Sequence, residues 1–163
     1  MKTLVIYYSQ ACGNTRRIAE MIHQVIPSDI TEIETVQPYE GSYEEIVEQG
    51  KHEVENGTMP AIKPLSVKIE DYDRIILGTP TWWYTMAPAV RTFLDVYDLS
   101  DKEVVLLQTH GGWQGHAFKD MKAIIKGNVS DEFAVQFDDT GGDELVTDIA
   151  VIRKWINTLS KGE

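Results

Sequence analysis

One cysteine in 163 residues, Cys12, cannot close an internal disulfide, so the fold rests on a packed core and suits a reducing, cytoplasmic setting. Basic residues are scarce: 15 Lys and Arg face 26 Asp and Glu, a formal net charge of −11. Such a chain repels a phosphate backbone, which argues against nucleic acid as a partner. Long apolar runs are missing as well. The run Leu4–Tyr8 stops at Ser9, shorter than the ~7–15 residues of a signal-peptide core or the ~18 of a membrane span, so no membrane insertion is expected.

Several reactive signatures are also absent. No Gly-x4-Gly-Lys-Ser/Thr run is present to cradle a nucleotide triphosphate, and no His, Cys or carboxylates cluster at metal-ligand spacing. A phosphatase would need Arg six positions after its cysteine, whereas Ile18 stands there and Arg16 and Arg17 come too early. The strand ends Tyr7–Ser9 and Gly78–Pro80 carry no acid, which excludes a response-regulator site.

What is present is enough apolar material for a core, 42% of the residues, in a length that fits a single domain over residues 1–163. Apolar runs of strand length alternate with segments of helical period, the pattern of βα units around a parallel sheet. Strands are expected at Thr3–Tyr8, Ile30–Val36, Arg74–Gly78, Glu103–Thr109 and Phe133–Phe137. Helical spacing marks Ile18, Met21, Ile22 and Val25, then Val90, Phe93, Leu94 and Tyr97, and then Phe118, Met121 and Ile125. A last helix carries Leu145, Ile149, Ile152, Ile156 and Leu159 and is expected to start at Asp143-Glu144, where negative charge meets unpaired N–H groups. Residues 29–57 hold nine acids against one base, Lys51, which makes Ile30–Val36 an edge strand. A helix is expected from Tyr43 to Glu55, and the Gly- and Pro-bearing stretch Asn56–Ser66 should be irregular.

In an open parallel sheet, ligands bind beyond the carboxyl ends of the strands, which selects three loops. The first, Ser9-Gln10-Ala11-Cys12-Gly13-Asn14-Thr15, leads from a strand into a helix with small and hydroxyl residues and no Lys or Arg. Its amides and hydroxyls can surround a phosphate, or simply cap the helix. The second loop, Thr79–Ala87, places Trp82, Trp83 and Tyr84 in succession, more aromatic surface than a core can take, which implies a flat ligand, the alternative for either indole singly being packing under Met86. The third, Thr109–His116, has three Gly in eight residues, letting backbone N–H groups approach the edge of a ring.

A Ser-x-x-x-Gly-Asn-Thr loop followed by a Gly-x-Pro-x-Trp-Trp segment resembles the flavodoxin family, over nearly the whole chain. The resemblance implies a flavodoxin-like α/β three-layer sandwich, a five-stranded parallel sheet of order 2-1-3-4-5, with one FMN bound non-covalently. By that likeness Ser9, Gln10, Ala11, Cys12, Gly13, Asn14 and Thr15 hold the phosphate. Pro80, Thr81, Trp82, Trp83 and Tyr84 flank the isoalloxazine, while Thr109, His110, Gly111, Gly112 and Gly115 meet its pyrimidine edge. One extra residue in the first loop separates Ser9 from Thr15, which moves the expected contact toward Asn14 and Thr15. Classical members also carry a Gly beside the reactive ring nitrogen, and residues 81–87 have none.

The expected function is electron transfer between redox partners. Asp138, Asp139, Asp143, Glu144 and Asp148, just beyond the fifth strand, would steer a partner with a basic docking face. The alternative is an FMN-dependent NAD(P)H:quinone-type oxidoreductase in which His110 or Tyr84 stabilises charge on the reduced ring or on a substrate oxygen.

Overall fold

The computed structural model describes residues 1–10 and 12–161. Strand β1 (Thr3–Tyr7) is buried along its whole length, as a central strand covered on both faces must be. Parallel pairing continues through β2 (Asp29–Glu32), β3 (Arg74–Trp82), β5 (Glu103–His110) and β6 (Asn128–Gln136), while the short β4 (Thr85–Met86) folds back antiparallel on β3. The order is β2-β1-β3-β5-β6. With the β4 hairpin set aside, that is the expected 2-1-3-4-5 arrangement of parallel strands.

Alternating side chains feed two cores. Leu4, Ile6, Ile75, Leu77 and Leu106 pack with Val90 and Phe93 of α3 (Pro88–Val96) and Met121 of α4 (Ala117–Ile124). Val5, Ile76, Val105, Leu107 and Val135 pack on the other face with Ile18 and Ile22 of α1 (Asn14–Val25) and Ile152 and Ile156 of α5 (Ile149–Ser160). Helix α2 (Tyr43–Asn56) has little buried surface, with Gly50 its buried residue.

Four expectations on element boundaries change. Strand β3 runs past Gly78 to Trp82 because its end pairs with β4. The acidic β2 stops at Glu32, and the chain beyond it is covered by the Pro-bearing segment: Thr35 bridges Ile62, and Val36 N–H donates to the Ala61 carbonyl at 2.9 Å. β2 itself remains the edge strand, as its acidic composition implies. Strand β6 begins at Asn128 rather than Phe133, with a bulge opposite Val104/Val105. The last helix begins at Ile149, not at Asp143-Glu144, because residues 144–147 turn back to pair with Gln136 and Asp138; the Asp148 carboxylate caps it, accepting the Ala150 N–H at 2.9 Å.

Candidate functional site

The carboxyl ends of β1, β3 and β5 open into one cavity of about 590 Å³, a size typical of small-molecule sites. Its floor begins where Gly78 has no side chain. A Cβ there would come within 3.1 Å of Thr15 Cγ2 and 3.3 Å of Leu107 Cδ2, so glycine lets α1 pack closely onto β3. The buried Thr15 hydroxyl then meets the Thr109 hydroxyl at 2.8 Å, joining the first loop to the third. Thr81 adds the second loop, its hydroxyl donating to the Thr109 carbonyl at 2.9 Å.

The start of α1 faces this space with no acid of its own. Its cap residue, Gly13 (φ 74°), supplies no side-chain acceptor, and the first turn contains no acid. The Ser9 hydroxyl accepts the Arg16 N–H at 3.3 Å, which leaves the positive end of the helix beside the cavity for an anion. The nearest cation of the loop is turned away: Arg16 meets both carboxylate oxygens of Glu32 at 2.8 Å and the Tyr7 hydroxyl at 3.3 Å. Among the described residues lining the cavity there is no Lys or Arg. Asn14 donates to the Gly142 carbonyl at 2.9 Å, while its buried Oδ1 has no partner among the described residues and is an acceptor available to a hydroxyl of a ligand.

Aromatic rings make the walls. Trp82 is held edge-on by Tyr8 and Tyr39, with centroids at 5.9 and 5.0 Å, and lies flat enough on α2 that a Cβ at Gly50 would sit 3.0 Å from its ring. The Trp83 indole N–H donates to the Val47 carbonyl at 2.9 Å, with the Lys51 ammonium 5.3 Å from the ring. Tyr84 (54% exposed) and Trp113 (63% exposed) stand at the mouth. Two large rings left in water beside a cavity are binding surface rather than core.

At the third loop the His110 Nδ1 accepts the Gly112 N–H at 3.0 Å, so its proton resides on Nε2. Burial pushes its pKa below the ordinary histidine value. Opposite, Asp138 is spent on local structure: it accepts from the Thr140 hydroxyl and from the amides of Thr140, Gly142 and Glu144. The Thr140 hydroxyl, followed by these amides, holds its pKa down to about 2.

Of the expected site residues, Gln10, Asn14, Thr15, Pro80, Thr81, Trp82, Trp83, Tyr84, Thr109, His110 and Gly111 line the cavity. Ser9, Cys12, Gly13, Gly112 and Gly115 sit beside it without lining it. Ser9 caps α1, the Cys12 thiol points to the Gly141 carbonyl at 3.5 Å, and Gly115 makes room for the Tyr84 backbone. Ala11 lies outside the described residues. Sequence reasoning missed the wall from α2, formed by Tyr43, Ile46, Val47 and Gly50, although their i, i+3, i+4, i+7 spacing is the signal of one helix face. It also missed Trp113, Phe137 and the loop residues Gly141 and Gly142 as lining.

The sequence profile described as Flavodoxin matches residues 2–143. Among solved structures, a candidate flavoprotein from Bacteroides eggerthii is 26% identical, with 98% of each chain covered and a TM-score of 0.74. A candidate flavoprotein from Bacteroides uniformis is 22% identical over 96% of this chain and 97% of that one, with a TM-score of 0.77. A flavoprotein from Lactobacillus acidophilus, solved in complex with FMN, is 23% identical over 85% and 94%, with a TM-score of 0.70. No curated protein sequence matches the chain.

Two outcomes follow from the geometry. Gly50→Ala should push the Trp82 ring from its seat and lower affinity for a flat ligand by about tenfold, the factor that ~1.4 kcal/mol of misfit carries; calorimetric titration measures it, and unchanged affinity would contradict the α2 wall. His110 should titrate below pH 6.5 by NMR. Because its folded pKa is depressed, its contribution to stability is complete above the unfolded value of about 6.5 and falls as the pH drops through the folded one, a dependence that His110→Asn should flatten.

Proposed function

Since the chain belongs to the flavodoxin family, we propose that the cavity holds one FMN non-covalently and that the protein carries electrons between redox partners. The observation that carries this reading is the meeting, in one cavity without Lys or Arg in its lining, of a helix start whose cap residue Gly13 offers no side-chain acceptor, aromatic walls and the third-loop peptides. Bound FMN supplies the electron chemistry. The chain's own residues then divide the work. The amides that open α1 bind the phosphate, with Thr15 and Asn14 beside them. Trp82, Trp83 and Tyr84 orient the ring and exclude water from its faces. The His110 Nε2–H and the peptides of Thr109–Gly111 offer donors at its polar edge.

Electrostatics favour a carrier that gives up electrons readily. Reduction adds negative charge to the site, and a lining without cations, inside a chain of net charge −11, opposes that gain and lowers the potential. The exposed Asp139, Asp143, Glu144 and Asp148 lie beyond β6 on the side of the cavity, where a basic partner face would be steered to the mouth. A second reading, the NAD(P)H:quinone-type oxidoreductase, draws on the open mouth between Tyr84 and Trp113, which admits a small oxidant, and on His110 as a neutral donor.

Purified protein incubated with FMN should take up one equivalent and show the absorption bands of oxidised flavin; a protein that stays colourless would overturn the proposal. Loaded protein should pass electrons to a basic acceptor protein at a rate that falls with ionic strength. Steady NAD(P)H oxidation with a quinone would instead favour the oxidoreductase. Gly13→Asp places an anion at the start of α1, at a left-handed position (φ 74°) that Asp adopts at lower cost than most residues and where no atom lies within 4 Å of a Cβ. It should weaken FMN by at least about tenfold and leave riboflavin, which lacks the phosphate, unchanged.

A further inference from the structure

The turn between β3 and β4 contains the described non-glycine residues with left-handed backbone, Trp83 at φ 49° and Tyr84 at φ 70°. Pairing of Thr81 with Met86 and of Trp82 with Thr85 makes this a two-residue hairpin, whose central positions favour Asn-Gly because both are left-handed. Two bulky aromatics there are strained, and such a conformation persists only where surrounding contacts over-determine it.

The Trp83 indole is tied to Val47 of α2, but the contacts on the backbone of the turn and its C-terminal side come from the entry to α4. The Tyr84 carbonyl accepts the His116 N–H at 2.7 Å. Gly115 (φ 58°) lies so close that a Cβ would land in the Tyr84 backbone. The Thr85 hydroxyl donates to Asp120 Oδ2 at 2.6 Å, and the same oxygen receives His116 Nδ1. At the base of the hairpin Gln108 donates to the Thr81 hydroxyl at 2.6 Å and to the Gln114 carbonyl at 2.7 Å. Burial raises the Asp120 carboxyl, but the bonds from Thr85 and His116 outweigh it and hold the group ionised below the ordinary carboxylate range. Asp120 does not line the cavity.

We propose that Asp120 is a positioning residue, which through Thr85 and His116 holds the Trp83–Tyr84 turn left-handed and so sets the aromatic wall against which the ring of the cofactor lies. The inference rests on the FMN reading and names what prepares the site for the ring rather than for the phosphate. Released from the clamp, the turn relaxes toward ordinary backbone angles, and binding must then select the minor, left-handed population, which lowers affinity by that fraction. The cost falls on the ring alone.

The test compares Asp120→Ala, Thr85→Val and the conservative Thr85→Ser in the full chain. Asp120→Ala and Thr85→Val should weaken FMN and riboflavin by the same factor, about tenfold, as expected for loss of one charged hydrogen bond, while Thr85→Ser binds like the wild type. In the ligand-free protein, hydrogen exchange of the Trp83 indole N–H, bonded to Val47, should accelerate in the first two variants. The Trp155 indole N–H, bonded to Asp131 at 2.9 Å, serves as the control and should keep its protection, while the melting temperature falls by no more than the few degrees that ~1.4 kcal/mol carries. Unchanged flavin affinity with a protected Trp83, or loss of Trp155 protection in step with a fallen melting temperature, would overturn the proposal. Wild-type protein that takes up no flavin would refute the FMN reading and the cofactor half of this inference together, and Trp83 exchange would still report whether Asp120 holds the turn.

Discussion

The hydrogen bond between the Thr15 and Thr109 hydroxyls fixes where the first helix meets the sheet, and the site takes its shape from that meeting. Both residues are buried, so the bond cannot be exchanged for water without cost. Close packing of α1 on β3 at Gly78 accompanies it, and Thr81 ties the second loop to the Thr109 carbonyl. Three loops far apart in sequence are thereby referred to one point. The start of α1, the aromatic hairpin and the third loop then face one volume.

The electrostatics divide that volume. Toward α1, a helix start whose cap residue Gly13 offers no side-chain acceptor presents peptide dipoles to an anion, and the neighbouring Arg16 is engaged by Glu32 and Tyr7. In the adjoining loop, which Asn14 meets at the Gly142 carbonyl, Asp138 gathers amides around its own carboxylate, with a pKa of about 2 that keeps it charged at any physiological pH. A phosphate held by dipoles rather than cations leaves the rest of the cavity free of positive charge. Binding an anionic tail and opposing further negative charge on the ring are thus compatible in one site.

The parallel sheet was legible in the sequence because fully buried strands read as apolar runs and the helices between them keep a 3.6 period. The three loops were legible because strand carboxyl ends can be located once the strands are. The α2 wall was not, since nine acids in residues 29–57 drew attention to its solvated face and away from the Tyr43, Ile46, Val47, Gly50 stripe. The β3–β4 hairpin was hidden because its turn is Trp83-Tyr84 instead of Asn-Gly, a choice local propensity disfavours and the contacts of α4 impose. The start of the last helix moved for a similar reason: Asp143-Glu144 resembles a capped beginning, but long-range pairing with Gln136 and Asp138 keeps this segment extended. In each case a tertiary contact overrides a local signal.

The central claim is that peptide amides at the start of α1 grip the phosphate while the second and third loops take the ring. Amide and indole NMR shifts of the ligand-free protein, titrated separately with FMN and with riboflavin, test it most directly. The account predicts that the Asn14 and Thr15 amides move with FMN alone, whereas the Gly111 amide and the Trp83 indole move with both. Equal responses of Asn14 and Thr15 to the two ligands, or shifts confined to surfaces away from the cavity, would contradict it.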